Sequence, residues 1–83
     1  MTGVKVVKLH YYAAFHEAAG MREEDWRSGA ATAAELYDEV AARHRFHFDR
    51  STLRVARNDC VVPWESEIRD GDTVVFLAPY AGG

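Results

Sequence analysis

Residues 73–78 (TVVFLA) form a continuous apolar run that follows the turn residues Asp70-Gly71-Asp72. Asp and Gly favour turns, and an unbroken run of apolar, partly β-branched residues is typical of a strand covered on both faces. The run therefore predicts an interior strand of a sheet. Successive side chains of a strand point to opposite faces, so an error of one residue in register exchanges the faces. The sequence alone does not decide which face Phe76 occupies.

The beginning of the chain predicts a strand followed by a short helix. Residues 4–12 (VKVVKLHYY) are rich in β-branched and aromatic types, which favours a strand. Alternation places alternate side chains on opposite faces, with Val7, Leu9 and Tyr11 on one and Lys8, His10 and Tyr12 on the other. Residues 13–19 (AAFHEAA) predict a helix of one or two turns, closed by Gly20 in the left-handed conformation.

A main helix is predicted from Thr32 to the region of His44 or Arg45. Thr32 and Glu35 have the spacing of a capping box, in which each side chain satisfies an exposed backbone N–H at the other residue. The apolar residues of this segment recur at helical spacing: Leu36, Tyr37, Val40 and Ala41. Such a stripe indicates that one side of the helix packs on a sheet.

Three shorter segments complete the predicted sheet. Residues 53–57 alternate as a strand does, and the turn pair Asn58-Asp59 leads into a short strand, residues 60–62, before Pro63. Residues 24–27 predict a second strand antiparallel to the first, on weaker grounds, because only Trp26 offers core material there.

The order of these elements predicts an α+β fold of the β-grasp (ubiquitin-like) type, a mixed sheet of about four to five strands wrapped around one main helix. The 83 residues suffice for one domain. We expect the β-grasp domain to span residues 1–78 and a flexible Gly-Gly tail to span residues 79–83. The helix covers one face of such a sheet, which makes the second face a candidate partner surface. The alternative is that residues 46–50 cover that face.

Composition and charge exclude several classes of protein. Ten Lys and Arg against thirteen Asp and Glu give a net charge of −3, without the basic excess of nucleic-acid-binding proteins. Apolar stretches fall far short of the roughly 20 residues that span a bilayer, and residues 1–5 do not begin a signal peptide. A single cysteine, Cys60, argues against a disulfide framework and Cys-rich metal centres. We expect a cytoplasmic protein that binds neither nucleic acid nor membranes.

The chain ends in Pro79-Tyr80-Ala81-Gly82-Gly83. Residues without side chains allow a terminal carboxylate to pass through a channel too narrow for a Cβ atom. The residues after Pro79 reach at most about 13 Å, which is enough to enter a partner's active site. A free carboxylate is a poor electrophile, so Gly83 would need activation by another enzyme, typically as an acyl-adenylate. Pro79, Tyr80, Ala81 and Gly82 are then the candidate segment inside the partner's active site.

Three segments together resemble one family. They are residues 11–20 (YYAAFHEAAG), residues 70–74 (DGDTV) and the ending, residues 78–83 (APYAGG). In order and spacing, over nearly the whole chain, they resemble the small subunit of molybdopterin synthase, a MoaD/ThiS-like ubiquitin-like sulfur carrier. The sequence departs from the family pattern at Ala14 and His16, where Arg is frequent, and at Arg57, where Val is common. These departures bear on partner pairing and not on the tail.

The resemblance implies a reaction sequence in which the chain is a co-substrate. An E1-like adenylating enzyme would use ATP to activate Gly83, and a sulfur donor would convert the adenylate to a thiocarboxylate. The tail would then enter the large subunit of molybdopterin synthase, where its sulfur passes to a cyclic pyranopterin precursor of the molybdenum cofactor. The resemblance thus implies a subunit of a hetero-oligomer that binds no cofactor of its own and is not catalytic alone.

Three alternatives stay open at this point. Related sulfur carriers with the same ending serve thiazole formation, cysteine synthesis or tRNA thiolation. A ubiquitin-like modifier would use the same activated tail to form isopeptide bonds with lysines of target proteins. In a plain interaction domain the terminal glycines would be incidental, and a residue added after Gly83 would leave the function intact.

Four residues outside the tail are candidates for the partner interface. Aromatic side chains are enriched in binding hot spots, which favours Tyr12 and Phe76, although Phe76 is equally suited to the core. Charge complementarity accelerates docking, which favours Lys8 and Arg69 opposite an acidic partner surface.

The sequence predicts neither a metal site nor a nucleophilic side chain. Zinc sites need three or four converging ligands, and His44 and His47 have the features of ordinary surface histidines. Nothing around Cys60 indicates a lowered pKa of its thiol. Asp70 and Asp72 fit a turn before a strand and need no acid–base role.

Overall fold

Five strands and two α-helices account for most of residues 3–78, the part of the chain that the structure, a computed structural model, describes. In chain order the elements are β1 (Lys5–His10), α1 (Ala14–Ala19), β2 (Glu23–Ser28), α2 (Ala33–His44), a single 3₁₀ turn (Arg50–Thr52), β3 (Arg54–Arg57), β4 (Cys60–Val62) and β5 (Thr73–Leu77). Each predicted strand and helix is present, and most boundaries lie within a residue or two of the predicted ones.

The strands form one mixed sheet in the order β2-β1-β5-β3-β4. β1 and β5 run parallel at the centre, with Leu9 opposite Val74, and the other three contacts are antiparallel. The chain therefore crosses from one side of the sheet to the other between β2 and β3, and α2 lies in this crossover. This is the predicted arrangement of a sheet around one main helix.

The two ends of α2 are closed by side-chain and backbone caps. Thr32 Oγ1 accepts the Glu35 N–H at 3.2 Å, as the capping-box spacing predicts. Glu35 Oε1 accepts the N–H of Ala31 at 2.9 Å instead of that of Thr32, so the reciprocal bond is displaced by one residue. At the other end Arg45 adopts the left-handed conformation with φ 58° and donates its N–H to Ala41 O.

The core lies between α2 and one face of the sheet. Its buried side chains include Val7, Leu9, Phe15, Leu36, Tyr37, Val40, Val55, Ile68, Val74 and Phe76. Phe46 and Phe48 pack edge-on against Phe15 on this helix side, with ring centroids 5.2 and 4.9 Å away. The prediction that residues 46–50 cover the opposite face is therefore wrong.

β2 forms an edge strand although its sequence, EEDWRS, has little β-propensity. Trp26 pairs with Val7 and packs against the core, and Trp26 Nε1 donates to Glu39 Oε1 of α2 at 3.1 Å. Ser28 Oγ donates to the same oxygen at 2.8 Å. These contacts hold the strand in place, which confirms the weakest of the strand predictions.

The β3–β4 hairpin has the two-residue turn that Asn58-Asp59 predicts. Both residues have positive φ, 53° and 73°, as a type I′ turn requires. Asn58 also joins the hairpin to β5, because its Oδ1 accepts the Thr73 N–H at 2.9 Å and its Nδ2 donates to Asp72 Oδ1 at 3.0 Å.

No helix within residues 3–78 combines the length and the apolar character needed to cross a bilayer.

Candidate docking face and base of the tail

The predicted reactive residue Gly83 and the tail residues Pro79, Tyr80, Ala81 and Gly82 lie outside the described residues. The structure does describe the chain up to Ala78 and so defines where the tail begins. β5 ends at Leu77, directly opposite Arg54, the first residue of β3. We call the surroundings of Leu77 and Ala78 the base of the tail.

The side of the sheet turned away from α2 is called the outer face. Alternation and strand pairing assign its members: Val6, Lys8 and His10 of β1; Glu23, Asp25 and Arg27 of β2; Arg54 and Ala56 of β3; Val61 of β4; and Thr73, Val75 and Leu77 of β5. Within residues 3–78 no helix packs on this face. Its central strand β5 carries the apolar side chains of Val75 and Leu77, which are half-buried between their neighbours. The outer face is therefore the second face of the sheet, which the sequence predicts as a candidate partner surface.

Tyr12 extends the outer face towards the base of the tail. Its side chain is 58% exposed and its ring stacks on that of His10, with centroids 6.4 Å apart and planes 15° apart. Since β1 and β5 run parallel with His10 opposite Val75, Tyr12 follows β1 at the end of the sheet where β5 also ends. This position suits the interface role that was predicted for Tyr12.

The backbone turns sharply between Tyr12 and α1. Ala13, the residue before the helix, has φ 51° and ψ −124°, a combination that favours glycine because it crowds a Cβ atom. The turn is closed by Phe15 N–H, which donates to Tyr12 O at 3.0 Å. Burial of Phe15 in the core holds this conformation, so Tyr12 is displayed by a strained turn rather than by the strand itself.

Phe76 faces the core and not the outer face. It is 1% exposed, and its ring meets that of Tyr37 edge-on with centroids 5.0 Å apart. The prediction of Phe76 as a partner contact is therefore replaced by a core assignment. The physical reason is the register of β5, in which Val74 and Phe76 share the helix side and Val75 and Leu77 the outer side.

Lys8 lies on the outer face as predicted, but it is already engaged within the chain. Its Nζ is 3.1 Å from Asp25 Oδ1 and 3.4 Å from Glu23 Oε1, both on β2. The hydrogen bonds to Asp25 and then to Glu23 raise the pKa of the Lys8 ammonium group above its ordinary value. The carboxylates of Asp25 and Glu23 thus compensate the positive charge that Lys8 would present to a partner.

Arg69 lies at the opposite end of β5 from the tail. It precedes Thr73, the first residue of that strand, and its backbone N–H donates to Asp72 Oδ2 at 2.8 Å. Its guanidinium group pairs with Glu67 Oε1 at 3.2 Å. Arg69 therefore lies away from the base of the tail, and its role as a partner contact stays a prediction.

Arg54 is the charged residue that sequence reasoning missed at the base of the tail. Its alternation with buried Val55 indicates an outward side chain, but its position opposite Leu77 depends on the antiparallel pairing of β3 with β5. That pairing is a long-range feature, which the local pattern of residues 53–57 does not encode.

A half-buried polar network supports the end of β1 from the core side. Glu24 Oε1 accepts the hydroxyl proton of Tyr11 at 2.8 Å and lies 2.8 Å from His44 Nε2. Burial, and then the hydrogen bond to Glu24, raises the pKa of Tyr11 well above its ordinary value. His44 is also packed on Phe46 and has 11% of its side chain exposed, so its assignment as an ordinary surface histidine is wrong.

Within the described part of the chain no three His, Cys, Asp or Glu side chains converge on a point where a metal ion could bind. Cys60 is exposed on the edge strand β4. The described residues thus supply an uncovered sheet face and a starting point for the tail, and the reacting group predicted from the sequence is the terminal carboxylate.

Several solved structures from archaea have the same architecture. A proposed molybdopterin converting factor, subunit 1, from Pyrococcus furiosus has a TM-score of 0.76 and 29% sequence identity, covering 92% of this chain and 99% of its own. Small archaeal modifier protein 1 from Haloferax volcanii has a TM-score of 0.76 and 21% identity, covering 92% and 99%. The ubiquitin of Caldiarchaeum subterraneum has a TM-score of 0.64 and 17% identity, covering 98% and 100%. These likenesses confirm the β-grasp prediction.

The match to a known family model spans most of the chain. The model of the ThiS family matches residues 9–83, from the second half of β1 through the terminal glycines. No curated protein gives a significant match.

Proposed function

This chain belongs to the ThiS family of ubiquitin-fold sulfur carriers, and from that premise we propose that it carries sulfur as a thiocarboxylate on Gly83 for the synthesis of molybdopterin. The observation that carries the proposal is the extent of the family match, residues 9–83, which includes the Gly82-Gly83 ending. The tail and the domain that presents it therefore fit one family pattern together.

The chemistry begins at the carboxylate of Gly83. An oxygen of this group attacks the α-phosphorus of ATP on the adenylating enzyme, and pyrophosphate leaves. A sulfur nucleophile at the oxidation level of sulfide then attacks the acyl carbon, and AMP leaves with the bonding electrons. The product is a thiocarboxylate, whose sulfur is the nucleophile in the next transfer. The adenylating enzyme, with ATP, and the sulfur donor are thus required partners.

Molybdopterin is the proposed destination of the sulfur. The relative from Pyrococcus furiosus, 29% identical, is a proposed molybdopterin converting factor, and the early segment YYAAFHEAAG favours the same branch. In this proposal the tail enters the large synthase subunit, and its sulfur forms a C–S bond to a carbon of the cyclic pyranopterin precursor. A C–O bond at that carbon breaks, and its oxygen leaves with the phosphate or as water. Water then hydrolyses the acyl bond, which restores the carboxylate of Gly83.

The geometry supports the proposal because the surface proposed for docking and the tail proposed to react are different parts of the chain. The outer face and Tyr12 present contacts at the end of the sheet where β5 ends, and the tail continues from Ala78. A domain too large to enter an active site can thus stay outside while an extended tail reaches inside.

Intact mass spectrometry of the protein from its native cells tests the carrier step. We expect a fraction of the chain to be heavier by the difference between one sulfur and one oxygen atom, with the change located on Gly83. A variant with one alanine added after Gly83 should lack this species, whereas one with an alanine added at the N-terminus should keep it. Only unmodified carboxylate in cells that make molybdopterin would refute the proposal.

The acceptor is tested by reconstitution. Thiocarboxylated protein, the large synthase subunit and the pyranopterin precursor should yield molybdopterin, with the carrier returned to its carboxylate form. Loss of sulfur to a thiazole precursor alone would assign the chain to another carrier pathway. Conjugates of high molecular weight that contain Gly83 linked to lysine would instead support the modifier function.

A further inference from the structure

We infer that Arg54 is a docking residue for the adenylating enzyme and binds a carboxylate group on that enzyme beside the entry of the tail. The inference rests on the proposed function, because it concerns the partner that activates Gly83. It holds whichever acceptor receives the tail afterwards, since every acceptor requires activation first.

The position of Arg54 follows from the sheet. It pairs with Leu77, the last residue of β5, and both side chains lie on the outer face. An open cleft of about 270 Å³ lies beside the paired start of β3 and end of β5, lined by Ser51, Thr52, Leu53, Arg54, Leu77 and Ala78. The cleft thus adjoins Ala78, the last described residue before the tail.

Arg54 differs from the other cations first considered for docking. Lys8 is compensated by Asp25 and Glu23, and Arg69 by Glu67. Within residues 3–78, Arg54 has an exposed side chain that forms neither an ion pair nor a hydrogen bond. It therefore retains its full charge and its five N–H donors for an external acceptor.

The other polar side chains of the cleft are already hydrogen-bonded within the chain, so Arg54 is the side chain available to bind a ligand. The hydroxyl groups of Ser51 and Thr52 donate their protons to Asp49, at 2.9 Å to Oδ1 and 2.7 Å to the backbone O. The Asp49 carboxylate also accepts the Ser51 N–H at 3.0 Å, and these bonds lower the pKa of Asp49. Because the two hydroxyl protons are used internally, the guanidinium group is the donor that the cleft offers outwards.

The positive charge beside the cleft favours an acidic group on the partner. Arg50, in the adjoining 3₁₀ turn, places its guanidinium carbon 5.5 Å from the centre of the Trp64 ring, and its positive charge offsets that of the neighbouring Asp49 carboxylate. The chain as a whole has a net charge of −3 and would repel an acidic protein. A cation at the base of the tail steers such a partner to the correct end of the molecule. A bidentate carboxylate contact is the geometry that arginine favours.

The test measures carrier-dependent exchange of pyrophosphate into ATP by the adenylating enzyme of the same organism. Arg54→Glu should raise the KM for the carrier roughly tenfold at low ionic strength, with kcat unchanged, and the difference should shrink at about 0.5 M salt. Arg54→Lys keeps the charge but loses the bidentate fork, so its KM should lie between those of wild type and Arg54→Glu. Arg45→Glu reverses the charge of an exposed arginine at the end of α2, on the other side of the sheet, and should keep the wild-type KM. Circular dichroism confirms that each variant is folded.

An equal KM for Arg54→Glu and wild type would overturn the docking assignment, as would an effect confined to kcat. The same rise in KM for Arg45→Glu would show a general charge effect and would also overturn it. If the wild-type chain supports no exchange, the proposed function itself fails, and this result is distinct from a failure of Arg54 alone.

Discussion

Replacement of Ala13 by glycine should stabilise this protein, against the usual effect of introducing glycine. Ala13 has φ 51° and ψ −124°, in the turn that displays Tyr12 and starts α1. A non-glycine residue in a sparsely populated backbone region loses about 1–3 kcal/mol through steric strain. Glycine relieves this strain because it has no Cβ atom.

The expected magnitude is the difference between two opposing effects. Glycine costs roughly 0.5–1 kcal/mol more backbone entropy on folding than alanine does. Ala13 is exposed, so the loss of its methyl group removes little buried surface. The net gain is about 1 kcal/mol in the free energy of unfolding, which corresponds to roughly 4–8 °C in Tm for a domain of this size.

Thermal and urea unfolding followed by circular dichroism measure the gain. The matched control is Ala18→Gly, at an exposed position inside α1, where we expect a loss of roughly 0.5–1 kcal/mol because the backbone there is helical. If both variants lose the same stability, Ala13 carries no strain and the argument fails.

Three further predictions concern the core, alkaline pH and the hairpin. Phe76→Ala should reduce the free energy of unfolding by about 3–5 kcal/mol in urea titrations, whereas Tyr12→Ala, at the exposed end of β1, should change it by less than about 1 kcal/mol. The raised pKa of Tyr11 means that the unfolded chain loses this proton first, so stability present below about pH 10 should fall above it, and Tyr11→Phe should flatten the fall. Asp59→Gly should add roughly 0.5 kcal/mol, measured by Tm, because φ there is 73°.

Specific results would contradict each of the three. Equal losses for Phe76→Ala and Tyr12→Ala would mean that the register of β5 is wrong. An unchanged alkaline slope in Tyr11→Phe would show that Tyr11 ionises equally in both states. A lower Tm for Asp59→Gly would mean that the aspartate side chain stabilises the turn by more than its backbone strain.

Much of the fold is readable from local patterns, because each of them has a local cause. Thr32 caps its helix through its own side chain, and Asn58 turns the chain through its own positive φ. The alternation of residues 4–12 assigns the correct faces of β1. β2 was harder to predict because Trp26 and Ser28 are held by Glu39, a residue of another element. Local propensity does not report such contacts.

The residues of the candidate site likewise differ in whether local sequence patterns predict their positions. Tyr12 could be placed from alternation alone, and Lys8 likewise, since both depend only on the face of β1. Arg54 and Arg69 could not, because their distances from the base of the tail depend on which strands are neighbours and in which direction they run. The face of Phe76 depends on a register that one residue of error reverses.

The parallel contact of β1 with β5 also determines when the protein can fold. The ribosome delivers β1 early, but the strand that lies beside it at the centre of the sheet is synthesised last among the five. Pairing between segments so distant in sequence is slow, and the sheet is not complete before Leu77 has been translated. A chain that presents a finished sheet to an enzyme has therefore already been synthesised up to the residues that begin the tail.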